Sequence, residues 1–290
     1  KRVISPTETI LLGGSNSYDI EGKPLTYQWF VNGSPRSNGA SFRFSSTISG
    51  TYNVTLRVSD GGSNPSCAID ERQVQIRVNT QPYAELSVPS LIGTNESIQA
   101  TVSKQTDADN DSLTFSWRGE GITGSANGKT VTINHTNPGT YTLVLTLNDG
   151  TGSSNGLYSI SKRYEVNAPP VPTFSLREKA APGERLTFDA TTSSGSNNTA
   201  LSYKWFVNDN LIASEAVTDF QFSDPGVYRV KLVVDDGRGV SNSVQELVKT
   251  VRINTPPLPV ITAAKVTSNS KVTFSAEQSS DPESTLNTFT

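Results

Sequence analysis

The stretch SGTYNVTLRVSDG, residues 49–61, decides how this chain folds, because it returns as PGTYTLVLTLNDG at 138–150 and PGVYRVKLVVDDG at 225–237. In every copy apolar and polar residues alternate. Tyr52, Val54, Leu56 and Val58 fall on one face of a strand, as do Tyr141, Leu143, Leu145, Leu147 and Tyr228, Val230, Leu232, Val234, because successive side chains point to opposite sides. Each copy closes on Asp-Gly, so Asp60 reads as an acid at a turn and not as a solitary catalytic carboxylate.

The same interval runs through the rest of the chain. Trp29, Trp117 and Trp205 lie 88 residues apart, each closing a segment of the form LTYQW, LTFSW or LSYKW. Glu8, Glu96 and Glu184 repeat at that spacing, each opening an alternating segment, and short runs with Phe42/Phe44, Val131/Ile133 and Phe220/Phe222 follow the tryptophans. A last strand, Val74/Ile76/Val78 in the first copy, runs into Asn79, with Asn167 and Asn254 at the corresponding places. No window carries sustained helical spacing, and turn residues punctuate the chain at the intervals of short antiparallel strands. The fold class is therefore all-β: tandem immunoglobulin-like antiparallel sandwiches, with Trp29, Trp117 and Trp205 packed between the sheets and Tyr52, Tyr141 and Tyr228 tying down a corner. The period sets the domains at 1–79, lacking its first strand, then 80–167, 168–254, and the start of a fourth at 255–290.

NTQPYAEL, NAPPVPTF and NTPPLPVI mark the joints. Proline-rich joints favour extended, semi-rigid chain, so the units are expected end to end, a rod of roughly 100 Å for three units at about 3.3 Å per strand residue. The chain reads as a window on a longer array.

Composition narrows the function classes. A net charge of −3 with 18% charged residues gives no basic field for nucleic acid or anionic lipid, and no apolar run is long enough to span a bilayer. One cysteine, Cys67, excludes an internal disulfide framework. The sole histidine, His135, reads as an exposed loop residue with no nucleophile beside it, and no hydrolase, zinc-protease or phosphate-loop motif occurs.

SYDIEGKPLTYQW, followed by GTYNVTLRVSDG and a closing VNAPP, resembles the polycystic-kidney-disease (PKD) domain as it occurs in tandem arrays of exported bacterial proteins. The resemblance covers essentially the whole chain. It departs from the family's W-x-F-G-D-G run, reading WFVNGS, WRGEGI and WFVNDN instead, which leaves any property of that loop without support. Related units pair a cysteine near the first strand with one after the Asp-Gly turn; here Cys67 stands in the second place and Ser5 near the first, so Cys67 is a free thiol or has its partner outside these residues.

The acidic loops are the candidate binding feature. QTDADNDSL places Asp107, Asp109 and Asp111 at alternate positions, a spacing that can aim several carboxylate oxygens at one hard cation, although such strings are also ordinary turn sequence. The resemblance implies a calcium site at one end of a unit: Asn79, Asp107, Asp109 and Asp149 in the second repeat, Asp19, Glu21 and Asp60 in the first, Asp281 and Glu283 in the fourth, and no loop acid in the third. Sequons stand at Asn32, Asn53, Asn95, Asn110, Asn134 and Asn197, at a frequency that Asn-, Ser- and Thr-rich sequence supplies by chance.

The expectation for function is a non-catalytic exported rod, periplasmic, outer-surface or extracellular, that spaces or presents parts of a larger protein. Its partners would be other proteins or surface polymers, met through edge strands and end loops. An accessory module of a secreted hydrolase and a subunit of an envelope assembly are the alternatives.

Overall fold

The computed structural model describes residues 2–195, 199–263 and 272–282. Asn197 and Glu283 lie outside them. The described chain forms two compact units: Lys1–Ser90 with Ser97–His135 and Thr140–Tyr164, and Leu91–Glu96 with Thr136–Gly139 and Glu165–Thr290.

In the first unit, repeat one is a two-layer sandwich. Val3–Ile4, Ile69–Val78, Gly50–Ser59, Thr26–Val31 and Ser34–Ser37 form a five-stranded sheet in that spatial order, and Ile10–Gly13 pairs with Ser41–Phe44 as the second layer. Among the described residues of this repeat only the pairing of Val3–Ile4 with Ile69–Val78 is parallel. Repeat two contributes the sheet Ile122–Thr123, Thr130–Ile133, Ile98–Thr106, Tyr83–Ser87, and the pairing of Thr114–Arg118 with Gly139–Asn148. In the second unit, repeat three has the same five-stranded order as repeat one: Lys179–Ala180, Val244–Ile253, Gly226–Asp235, Ser202–Val207, Asn210–Ala213, with Arg185–Asp189 against Val217–Gln221.

The alternating faces pack as the sequence requires. Val54, Leu143, Leu145, Leu147, Val230, Leu232 and Val234 are fully buried, each worth about 1.5–3 kcal/mol of removal from water. The tryptophans lie between the layers, and each indole N–H finds a backbone carbonyl across the sandwich: Trp29 to Gly39 at 2.9 Å, Trp117 to Gly128 at 2.8 Å, Trp205 to Glu215 at 3.0 Å. That bond lets a large polar-edged ring be buried without an orphaned donor. The recurring glutamate has a local task. Its carboxylate accepts the N–H three residues back, Ser5 for Glu8 at 3.0 Å, Gly93 for Glu96 at 2.7 Å and Ala181 for Glu184 at 3.0 Å, while its own N–H donates to the carbonyl of that same residue. Asn32, one of the sequon residues, sits at φ 47° in a hairpin turn and caps the N–H of Asn53; Asn208 repeats this at φ 45° with Arg229.

The corner tyrosines divide. The Tyr52 hydroxyl donates to the Ile48 carbonyl at 2.8 Å and that of Tyr228 to the Asp224 carbonyl at 3.0 Å, four residues back in both cases. Phe44 and Phe222 pack against these rings at a tilt. In repeat two Ile133 replaces that phenylalanine, and His135 fills the space. His135 does lie in the loop after Thr130–Ile133, but contrary to the expected exposure it is buried, its ring stacked 3.7 Å from that of Tyr141 and its Nε2 2.7 Å from the Tyr164 hydroxyl. Burial holds the imidazole below its ordinary pKa against the opposing pull of Glu120, and burial first, with Tyr141 and Glu120, pushes Tyr164 up to about 12. A neutral histidine serves as packing here. Cys67 is a free, exposed thiol in the one-turn helix Pro65–Ala68, which Asn64 caps through Ser66 N–H.

Candidate metal centre

The loop at 107–111 is organised by its first aspartate. Asp107 Oδ1 accepts the N–H of Asp109 at 2.9 Å and of Asp111 at 3.4 Å, and the turn is completed by Asn110 at φ 60°, a left-handed conformation that asparagine tolerates. Asp109 points to the joint, where its carboxylate takes the N–H of Thr80 at 2.6 Å and the Thr80 hydroxyl at 3.3 Å.

Asp149, at the end of the strand Gly139–Asn148, is 5% exposed. Its Oδ1 accepts from the N–H and hydroxyl of Thr151 at 2.9 and 2.7 Å, and its Oδ2 from the Asn79 amide at 2.7 Å. Burial alone would raise its pKa. The Thr151 N–H, the Asn79 amide, the Thr151 hydroxyl and the charge of Arg77 outweigh burial and hold the carboxyl below the usual range.

Among the described residues one acidic set converges: an oxygen from each of Asp107, Asp111 and Asp149 lies within 4.8 Å of the others. Arg77 meets Asp111 Oδ1 at 2.9 Å, which leaves a negative surplus. Three buried oxygens here, Asn79 Oδ1, Asp107 Oδ2 and Asp111 Oδ2, have no hydrogen-bond partner, and Asn79 itself is 0% exposed. Buried acceptors without a donor are costly, and clustered carboxylates repel unless a positive charge joins them. The residues therefore fit a hard divalent cation such as Ca²⁺, because all the donors are oxygen.

Of the expected ligands, Asn79, Asp107, Asp111 and Asp149 come together. Asp109 instead clamps Thr80. In repeat one Asp19 forms the same turn as Asp107, accepting from the N–H of Glu21 at 2.8 Å and of Lys23 at 3.1 Å, but Lys23 then places its ammonium between Glu21 and Asp60.

Two asparagines escaped sequence reasoning. Asn155 donates to the Asn79 carbonyl at 2.9 Å while Asn79 donates to Asn155 Oδ1 at 3.3 Å, a reciprocal amide clasp across the joint. The second unit repeats it: Asn167 donates to Asp236 at 2.8 Å and to Asn242 at 3.3 Å, and Asn242 returns a bond to the Asn167 carbonyl at 2.9 Å. The signal was present, since Asn155 and Asn242 each stand six residues after the Asp-Gly aspartate. What a single repeat cannot reveal is that their partner belongs to the repeat before. Around the second clasp the ion pair changes hands. Glu165 stands where repeat one has Arg77, and it pairs with Arg238 at 2.6 Å.

Immunoglobulin-like sandwiches following one another, the second and third each receiving the closing asparagine of its predecessor, define a tandem β-sandwich array. A PKD-domain model matches residues 79–163 and 167–251, more than half of the 290 residues, and the chain belongs to the PKD-domain family. It is 26% identical over 269 residues to the "Dyslexia-associated protein KIAA0319 homolog" of Rattus norvegicus, covering 84% of this chain and 25% of that protein. It is 29% identical over 101 residues to the "Pre-pro-metalloprotease PrtV" of Vibrio cholerae, covering 35% of this chain and 10% of that one. The chain thus spans a quarter or less of these relatives. Three N-terminal domains of the bacteriophage RB49 outer capsid protein Hoc superpose with a TM-score of 0.43 at 15% identity, over 86% of this chain and 94% of that one. Among the described residues no helix is long and apolar enough to cross a membrane.

Proposed function

We propose that the chain is a non-catalytic spacer and interaction module of a larger exported protein, with calcium fastening the joint between its first two repeats. Tandem membership in the PKD family and the immunoglobulin-like fold support an extracellular interaction or scaffold role. The observation that carries the spacer reading is the asparagine clasp built twice from equivalent residues, each pairing a buried asparagine with a half-buried one: a joint that only tethered two domains would need no reciprocal amide pair. Asn167→Leu keeps the bulk at 167 while removing the donor, so Asp236 Oδ2 and Asn242 Oδ1 lose a partner that each uses. Amides of 236–243 in the full chain are expected to exchange about tenfold faster, the equivalent of one buried hydrogen bond with its unsatisfied acceptor. Unchanged exchange would remove the basis for a rigid joint.

The calcium reading rests on the three orphaned oxygens. Asn79, Asp107, Asp111 and Asp149 would hold the ion, which supplies the positive charge that Arg77 provides only in part. Calcium at a hundredfold excess over its dissociation constant adds about 2.7 kcal/mol to the stability of the state that binds it. Millimolar calcium is expected to raise the melting temperature of repeat two by roughly 10 °C while repeat three, which lacks the loop acids, stays where it was. No shift in repeat two would count against the metal.

A further inference from the structure

The three Asp-Gly aspartates are built alike. Each turns one carboxylate oxygen to the N–H two residues on: Asp60 to Gly62 at 2.9 Å, Asp149 to Thr151 at 2.9 Å, Asp236 to Arg238 at 3.0 Å. They differ in what meets the other oxygen. Asp149 and Asp236 take an asparagine amide from the preceding repeat, whereas Asp60 Oδ2 takes the Lys23 ammonium at 3.2 Å, and that ammonium also holds Glu21 at 2.8 Å.

Lys23 occupies a telling register. DIEGKPL at 19–25 aligns with DADNDSL at 107–113, so Lys23 stands where repeat two has Asp111. The backbone agrees, because Asp19 receives the N–H of Glu21 and Lys23 as Asp107 receives those of Asp109 and Asp111. One position, on one turn, thus carries an ammonium in repeat one and a further carboxylate in repeat two. Where it carries the ammonium, the acids Glu21 and Asp60 are joined through it. Where it carries the carboxylate, Asp107, Asp111 and Asp149 converge with orphaned oxygens beside the wholly buried Asn79.

We infer that this position decides whether an acidic repeat end needs a cation from solution: Lys23 is the built-in cation of repeat one, filling the role that Asp111 leaves to a divalent ion in repeat two. The inference rests on the calcium reading only for the identity of that ion. It makes calcium dependence a property of one joint, so that calcium tightens the array at 79–111 and leaves the Asp60 end unaffected.

The test uses the full 290-residue chain, hydrogen exchange of 105–113 and 148–156, and calcium or a chelator as the only variable. Asp111→Lys moves the ammonium into repeat two, leaving three acids, Asp107, Asp109 and Asp149, against two cations with Arg77. It is expected to lose the calcium response and to exchange in chelator about tenfold more slowly than Asp111→Asn, which removes the carboxylate without supplying a charge. Equal exchange of the two variants in chelator overturns the inference. A wild-type chain indifferent to calcium would overturn only the metal reading, since the comparison in chelator does not use it. Should Asp111→Lys fail to fold beside Arg77, Lys23→Met decides: its amides at 19–23 are expected to exchange about threefold faster in chelator, a surface-pair effect. Exchange in chelator that stays at the wild-type rate overturns it.

Discussion

Gly121→Ala is expected to destabilise repeat two by about 3 kcal/mol, from roughly 1–2 kcal/mol for a left-handed alanine and 1–3 kcal/mol for overpacking. Both causes are visible. Gly121 sits at φ +72°, and a Cβ there would lie 2.5 Å from His135 Cε1 and Nε2 and 2.6 Å from the Asn134 carbonyl oxygen. That carbonyl is backbone and cannot swing away, and the imidazole is pinned between Tyr141 and the Tyr164 hydroxyl. Gly124 is the internal control: at φ +80° it has open space around its missing Cβ, so Gly124→Ala carries the backbone cost alone. A calorimetric scan should place Gly121→Ala roughly 10 °C below Gly124→Ala. Equal melting temperatures would mean that His135 does not fill the corner as the structure shows.

That corner also shows what a sequence hides. The strand faces were legible because their information is local: alternation at Tyr52 to Val58 or at Tyr228 to Val234 says which side is buried, and the recurrence of tryptophan at a fixed interval says that the same sandwich is built again. His135 was not legible. Its burial depends on Ile133 being smaller than the phenylalanine of the other repeats, on Gly121 leaving room, and on Tyr164 arriving from a strand 29 residues on with a hydroxyl to meet it. Read alone, a histidine before Thr-Asn-Pro-Gly is an exposed loop residue.

The candidate site divides in the same way. The alternate acids Asp107, Asp109 and Asp111 could be read from spacing, and the turn centred on Asp107 explains why the spacing works: one carboxylate caps the two following acids' N–H groups. Which acids converge could not be read. Asp109 is drawn off by Thr80, a contact across the joint, and Lys23 fills the equivalent end of repeat one by a side chain whose reach the sequence does not display. Asn155 and Asn242 are a clearer case still, since their meaning appears only when the closing asparagine of one repeat is set against the opening loop of the next.

The largest single loss is expected from Trp205→Ala, at about 3–5 kcal/mol. Trp205 is 0% exposed, with Phe174 edge-on at 5.0 Å and Phe188 tilted at 5.4 Å, so truncation opens a cavity that two rigid rings cannot collapse into. It also strands the Glu215 carbonyl, which receives the indole N–H at 3.0 Å. Trp205→Phe separates these causes: it keeps most of the ring and loses the bond, and is expected to cost less than half as much. Because sites that share no partners add independently, the loss should fall on repeat three alone. Hydrogen exchange at 202–207 and 226–235 should quicken in step with the lost stability, while Thr26–Val31 and Gly50–Ser59, with their own tryptophan and their own core, keep the wild-type rate. Were repeat one to loosen as well, the repeats would be folding as one cooperative body, and the clasps at Asn79 and Asn167 would have to carry stability along the chain as well as hold its joints.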